Sequence, residues 1–331
     1  MWSVLWPGLP PDEVPIGSVT NGVHLGTWVG REVADLYERT LGSDWLTGSD
    51  AASWAKIHDV PDAELWSVHE RCRERLIDDV RRRLRLQAER KGRGWEASGA
   101  DGLLDPRALT IGFARRFATY KRGTLLLRDP QRLHRIVAAE GRPVQLLFSG
   151  KAHPQDWGGK ELIQGIVRAS RSPQFRGHIV FVEDYDMGVA RELVSGVDVW
   201  LNTPRRPLEA SGTSGMKAAL NGIPQLSTLD GWWQEGYDGL SGWAISPAGE
   251  SEDADAADAD RFYRLLEEQV IPLYYTRNAA GVPLGWVEKM RHALRLAGTR
   301  FTARRMIQDY VQEHYAPAIS GESSGDDPPT A

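Results

Sequence analysis

The sequence predicts an α/β protein: a Rossmann-like parallel sheet covered by helices on both faces. Three observations predict it. Short apolar runs alternate with amphipathic stretches from about residue 109 onward. Their spacing leaves room for one helix between successive strands. The chemically distinctive residues fall just after the strands, where such sheets bind ligands.

The opening stretch is Pro-rich (Pro7, Pro10, Pro11, Pro15) and reads as extended chain running into a turn at Asn21-Gly22. It resembles a chain entering from elsewhere more than a capped domain start. Residues 30–46 and 61–91 have helical periodicity. The second run sets Leu65, Val68, Cys72, Leu76 and Val80 on one side, with Arg81, Arg82, Arg83, Arg85, Arg90 and Lys91 outward. That outer face suits a nucleic-acid surface or, more ordinarily, solvent. Residues 92–108 are rich in Gly and Asp and predict a loop.

Strands are predicted at Leu109–Phe113, Val144–Ser149, Ile179–Val182, Val197–Asn202 and Gln225–Thr228. Helices are predicted over 120–139, 158–169, 187–195 and from 215 to 221. The acidic, low-complexity stretch 247–260 predicts an exposed loop, and helices follow over 261–271, 282–296 and 301–314. The last of these sets Phe301, Met306, Tyr310 and Val311 on one face. The tail, 317–331, has the composition of a disordered segment.

A hydrophobic fraction of 41% and a charged fraction of 26% support a core without disulfides or metals. The net charge of −5 argues against a general nucleic-acid binder, which needs a basic surface. The single cysteine, Cys72, can form neither an intramolecular disulfide nor a zinc site, in keeping with a reducing cytoplasm. No signal-peptide pattern opens the chain, and no apolar run reaches the roughly 18 residues of a membrane helix. No metal-ligand spacing appears. Thirteen tryptophans suit either sugar platforms or core packing.

The most informative run is Leu208–Gly222, LEASGTSGMKAALNG. A small-residue turn (Ser211 to Gly215) opens a helix, so backbone N–H groups and a positive dipole end would face any bound anion. Lys217, set beside Met216 and Ala218, could have its pKa lowered enough to form an imine. A Gly-rich turn followed by a surface lysine is the plain alternative. The run Thr110–Arg122, TIGFARRFATYKR, places Arg115, Arg116, Lys121 and Arg122 after a strand. Those four cations fit a phosphate clamp or a solvated basic loop equally well. Ser149–Asp156, SGKAHPQD, adds His153, for which a structural role is the simpler reading.

EASGTSGMKAALNG closely resembles the cofactor-lysine motif of the α-glucan (glycogen, starch, maltodextrin) phosphorylases. RRFATYKR is similar to their phosphate-site motif, and SVTNGVHLGTW to their sugar-contact motif. FSGKAHP and FVEDYDMGVARELVSGVDVWLNTPRRPLEASGTSG resemble the intervening strands in the same order, over about residues 1–315. NGVHLGTW and DGWWQEGYDGLSGWAI resemble the bacterial and archaeal branch.

The resemblance implies the C-terminal domain of a GT-B glycosyltransferase over 21–316, with 1–20 a linker from an N-terminal domain. Lys217 would carry pyridoxal 5′-phosphate as a Schiff base. Arg115 and Lys121, with the backbone around Thr213 and Ser214, would bind the cofactor's phosphate, and Tyr185 would lie beside its ring. Arg116 and Lys121 would bind substrate orthophosphate. Asn21, Glu209, Ser211 and Gly212 would contact sugar hydroxyls. Two departures are visible: Ser214-Gly215 stands where animal enzymes have Gly-Asn, and Arg115 where they have lysine.

The implied reaction is phosphorolysis of an α-1,4-glucan to α-glucose 1-phosphate with retention, the cofactor's phosphate acting as proton donor and charge partner. Family members carry a further N-terminal half, so weak activity alone is expected, with a separate half or a homo-oligomer as partner. A nucleotide-sugar glycosyltransferase of the glycogen-synthase type shares the architecture but has no use for Lys217. A non-catalytic remnant is the third reading.

Overall fold

Six parallel strands lie in the order β3–β2–β1–β4–β5–β6 in a computed structural model describing residues 5–10, 13–14, 16–47, 51–92, 99, 102–245 and 253–321. They are β1 (Leu109–Ala114), β2 (Val144–Ser149), β3 (Ile179–Val182), β4 (Val199–Asn202), β5 (Gln225–Thr228) and β6 (Gly242–Ile245). Every strand residue is buried, as expected of a parallel sheet covered on both faces. The order is that of a doubly wound Rossmann-type sheet, whose crevice opens beyond the carboxyl ends of β1 and β4 where the winding reverses.

The helices that concern the site are α1 (Arg31–Leu41), α2 (Asp62–Arg90), α3 (Pro130–Val137), α4 (Trp157–Arg171), α5 (Met187–Gly196) and α6 (Thr213–Ala219). They are followed by α7 (Trp232–Gly236), α8 (Ala254–Leu265), α9 (Leu284–Arg300) and α10 (Ala303–Tyr310). Asp129, Asp156, Asp186 and Asp253 cap α3, α4, α5 and α8, each accepting a backbone N–H three residues on. Such a cap contributes about 1 kcal/mol.

Alternation along the strands divides the core. Leu147, Val180 and Val182 pack with Leu76, Ile77 and Val80 of α2 and with Val189 and Leu193 of α5. Their neighbours in sequence, Leu146, Phe148, Ile179 and Phe181, face the opposite way among Phe113, Leu133 of α3 and Ile166 of α4. Trp45, Trp54, Trp66, Trp200, Trp232, Trp233, Trp243 and Trp286 are buried, so packing accounts for most of the thirteen tryptophans. Trp157 is exposed, with the Lys160 ammonium 4.1 Å above its ring.

A buried charge cluster joins α2 to the sheet. The Asp198 carboxylate accepts from Arg73 Nη1 (2.7 Å), from the Thr110 backbone N–H (2.8 Å), and pairs with His69 Nε2 (2.7 Å). Burial alone would raise the Asp198 pKa, yet Arg73, His69 and the Thr110 N–H together hold it below the usual carboxylate range.

Several expectations change. Residues 120–139 are not one helix. Two 3₁₀ turns, Thr119–Lys121 and Leu125–Leu127, precede α3, because Arg122 sits at φ +47°, outside helical space, and Asp129-Pro130 starts a new helix. Within the acidic stretch 247–260, residues 247–252 lie outside the described residues, and 253–260 form a cap and the start of α8. β6 was not anticipated; GWAI is too short and mixed to stand out from its Gly-rich surroundings. Of the tail, 317–320 continue the helical run Ala316–Ser320, while 322–331 lie outside the described residues. Phe301 is buried against Trp232, so the exposed stripe beyond it is Ile307, Val311, Tyr315 and Ile319. Around the outer face of α2, Arg82 and Arg83 pair with Asp79, Arg90 with Asp184 and Lys91 with Glu183, so much of its positive charge is neutralised locally. Among the described residues, no helix is long and apolar enough to cross a membrane.

Replacing Asp198 with alanine leaves the buried Arg73 guanidinium without its buried carboxylate partner. A loss of about 3–5 kcal/mol is expected, read as a lower urea midpoint at unchanged slope. A loss below about 1 kcal/mol would show that the cluster does not hold α2 to the sheet.

Candidate functional site

The site is built at the carboxyl ends of β1 and β4. β1 ends at Ala114, and the next backbone N–H, that of Arg115, donates to Ser149 O at 3.2 Å. This keeps Arg115 in line with the strand and buries it to 7% exposure. The chain then turns through Thr119–Lys121, and Lys121 is equally buried, its ammonium 4.7 Å from the centre of the Tyr120 ring.

Between these two cations lies the Glu209 carboxylate, from the loop after β4. It accepts from Lys121 Nζ at 2.7 and 3.0 Å and from Arg115 Nη2. Its own backbone N–H donates to Asp230 Oδ2 at 2.9 Å. The arrangement is not saturated. Arg115 Nε and Nη1 are buried with no partner, and an unmet buried donor costs about 1–3 kcal/mol. Burial lowers the Arg115 pKa, and Glu209 only partly offsets it. The pocket therefore has the charge and the free donors for an additional anion.

Arg116 and Arg122 do not join this pair. Arg116 is exposed. Arg122 is buried but turned away, donating to Thr203 O (2.8 Å), Pro204 O (3.0 Å), Asp255 (2.9 Å) and Asp258 (2.7 Å). It fastens the Lys121 turn to the end of β4 and to α8. The four-cation run is thus two site residues, one surface residue and one structural anchor.

α6 opens the other wall. Its N-cap, Gly212, has φ +77°, and a Cβ there would lie 3.4 Å from Glu209 Cγ. Gly215 is needed for close approach, since a Cβ would stand 2.5 Å from Trp232 Nε1. The Ser211 carbonyl accepts from Trp232 N at 2.8 Å, which fixes the turn. Thr213 and Ser214 are the first helical residues, so their N–H groups have no acceptor within the helix. Ser214 Oγ accepts from Trp200 Nε1 at 3.2 Å.

Lys217 lies one turn further along, partly buried, with Nζ 3.7 Å from the centre of the Trp28 ring. Burial lowers its pKa below that of a free lysine. Asn221 holds the two segments together. Its Oδ1 accepts from Gly30 N (2.7 Å), and its Nδ2 donates to Trp28 O and Lys217 O (2.9 Å each). Trp28 and Asn221 were both within recognised motifs, but no spacing relates residues 193 positions apart.

Tyr185 follows β3 and is partly buried; burial raises its hydroxyl pKa, and nearby Arg115 draws it back. Asn21 lies at the rim, where its carbonyl accepts from Arg305 Nη2 at 3.1 Å and the neighbouring Thr20 donates to Glu235. His153 Nδ1 accepts from Gln155 N at 3.2 Å within its own turn, a structural role. The structure thus gathers Arg115, Lys121, Glu209, Tyr185 and Gly212, sets Thr213, Ser214 and Lys217 along the adjoining helix, and leaves Arg116 and Asn21 at the periphery.

The fold is a doubly wound α/β unit with two buried cations at its winding reversal, where such sheets receive ligands. Residues 13–235 match the family model described as carbohydrate phosphorylase. The chain is 49% identical to a glycogen phosphorylase of Mycobacterium bovis over 326 residues, 96% of this chain and 37% of that protein. It is 46% identical to a glycogen phosphorylase of Aquifex aeolicus, covering 97% of this chain and 46% of that one. It is 44% identical to a maltodextrin phosphorylase of Thermococcus litoralis, over 97% of this chain and 38% of that one. The chain belongs to the carbohydrate phosphorylase family, and it spans less than half the length of these relatives.

Partial burial lowers the Lys217 pKa, so its amine loses its proton at a lower pH than the exposed lysines do. Labelling with an amine-selective reagent, followed by peptide mass spectrometry, should give a midpoint for Lys217 below the ~10.4 of a free lysine. Trp28→Ala, which admits water, should move that midpoint upward. A Lys217 profile superimposable on those of the exposed lysines would contradict the desolvated environment.

Proposed function

We propose that this chain is the cofactor-carrying C-terminal portion of a pyridoxal 5′-phosphate-dependent α-1,4-glucan phosphorylase. Residues 21–316 are its GT-B C-terminal domain, 1–20 a linking segment and 317–331 a tail. The observation that carries the reading is the pairing of buried Arg115 and Lys121, with unmet donors on Arg115, in a chain of this family.

The residues fit the cofactor. Unmet Arg115 N–H groups and the first N–H groups of α6 suit a phosphate. The partly desolvated Lys217 amine suits a carbonyl carbon. Lys217 would hold the cofactor, with Arg115, Lys121, Thr213 and Ser214 around its phosphate and Tyr185 beside its ring. When bound, the cofactor supplies a phosphate that exchanges a proton and balances charge beside the attacking orthophosphate.

The chain's own residues do the rest. Lys121 and the exposed Arg116 hold orthophosphate and cancel its charge. Trp28 covers the Lys217 amine and keeps water from it. Glu209, Ser211, Gly212 and Asn21 orient the terminal sugar through its hydroxyls. An orthophosphate oxygen bonds to the anomeric carbon as the bond to the glycosidic oxygen breaks. That oxygen leaves with a proton from orthophosphate, giving α-glucose 1-phosphate with retention.

The partners are an α-glucan, orthophosphate and, for full activity, the remaining length that the relatives carry. The exposed stripe Ile307, Val311, Tyr315 and Ile319 offers an apolar face for that remainder. The lone, buried Cys72 suits a cytoplasmic location.

Expression with pyridoxal 5′-phosphate, followed by removal of free cofactor, should leave a visible-range absorbance that borohydride bleaches and that Lys217→Ala lacks. A folded protein with no such absorbance would remove the cofactor from the reading. Release of glucose 1-phosphate from maltodextrin and orthophosphate should be weak for the chain alone. It should rise at least about tenfold when the N-terminal half of a relative is added in trans. No rise from a cofactor-loaded chain would reduce it to a binding remnant.

A further inference from the structure

Glu209 occupies an unusual position for a residue expected to face sugar. Both of its carboxylate oxygens are engaged by the two cations on which an incoming phosphate depends. Arg115, Lys121 and Glu209 are nearly enclosed, with side-chain exposures of 7%, 8% and 10%, so their charges answer mainly to one another. Among these three side chains two cations face one carboxylate, and a phosphate dianion would bring the two cations to neutrality.

Three observations mark the contact as exchangeable. First, Glu209 fails to satisfy Arg115, whose Nε and Nη1 donate to nothing, whereas a tetrahedral anion offers more oxygens. Second, the Glu209 backbone is anchored independently through Asp230, so its side chain can move without unfolding the loop. Third, Gly212 sets no side chain against Glu209, whose Cγ and Cδ lie 3.4 and 3.6 Å from where a Cβ would be.

We infer that Glu209 is a built-in counter-ion that occupies the anion site until a phosphate group displaces it, and that this displacement frees its carboxylate for the sugar. The inference rests on the functional reading above. It makes anion binding and sugar recognition sequential uses of one side chain: repulsion between a bound phosphate and the carboxylate drives Glu209 off the cations and toward Gly212. The alternative is a fixed Glu209 that merely orients Arg115 and Lys121, and the two differ in sign. A competitor removed strengthens anion binding, whereas an orienting group removed weakens it.

The test is titration of inorganic phosphate into the cofactor-free full chain, by calorimetry and by thermal unfolding with and without phosphate. Glu209→Gln should bind phosphate at least about fivefold tighter than the unaltered chain. It should melt lower without phosphate and gain more from its addition. Unchanged or weaker binding overturns the inference, as does absence of any phosphate response in both proteins. Should Glu209→Gln not fold, Glu209→Asp keeps the charge but shortens the reach, and tighter phosphate binding is again required. The borohydride-sensitive absorbance separates the two levels. If it persists while phosphate affinity fails to rise, only the counter-ion role falls; if it too is missing, the functional reading falls with it.

Discussion

A carboxylate removed from water is tolerated only where opposite charge and hydrogen bonds replace its hydration. Asp198 meets that condition with Arg73, His69 and the Thr110 N–H, taken from α2 and from the start of β1. The consequence runs through the whole sheet. β4 is held beside β1 at their amino ends, α2 is fixed across them, and the winding reverses between the two strands. The crevice at the opposite end exists because this end is closed, and the loops carrying Arg115 and Glu209 open into it.

Charge is managed differently at the two ends. At the amino ends the Asp198 carboxylate is met by Arg73, His69 and the Thr110 N–H, which suits a part that must not move. Beyond the carboxyl ends Arg115 keeps two unmet donors, which in a settled core would be a defect. The fold tolerates it because Arg122, Thr203, Asp255 and Asp258 hold the Lys121 turn in place from behind. Anchoring and unmet donors thus fall to different residues of one short motif, RRFATYKR.

Much of this was legible in the sequence. The strands from Leu109 to Thr228 announced themselves because buried parallel strands are short apolar runs, and the Gly-rich turn before Lys217 because only small residues fit there. What could not be read were contacts between remote segments. Arg115, Arg116, Lys121 and Arg122 look alike as letters. Only the left-handed backbone at Arg122 and the distant carboxylates of α8 separate the anchor from the site. The acidic stretch was illegible for the same reason, since Asp255 and Asp258 gain a purpose only once Arg122 is beside them. The pairing of Glu209 with both cations lies beyond any motif, because a motif records which residues meet ligands and not which residues meet each other.

The Asn221 clamp has a consequence in time as well as in space. It joins the Lys217 helix to Trp28, 193 positions before Asn221, so this wall closes only after the intervening chain has found its place. Contacts of such long range carry a large loop-closure cost and form late. Until then Lys217 lacks the cover of the Trp28 ring. The partial burial that lowers its pKa is thus a product of the assembled fold and of neither segment alone.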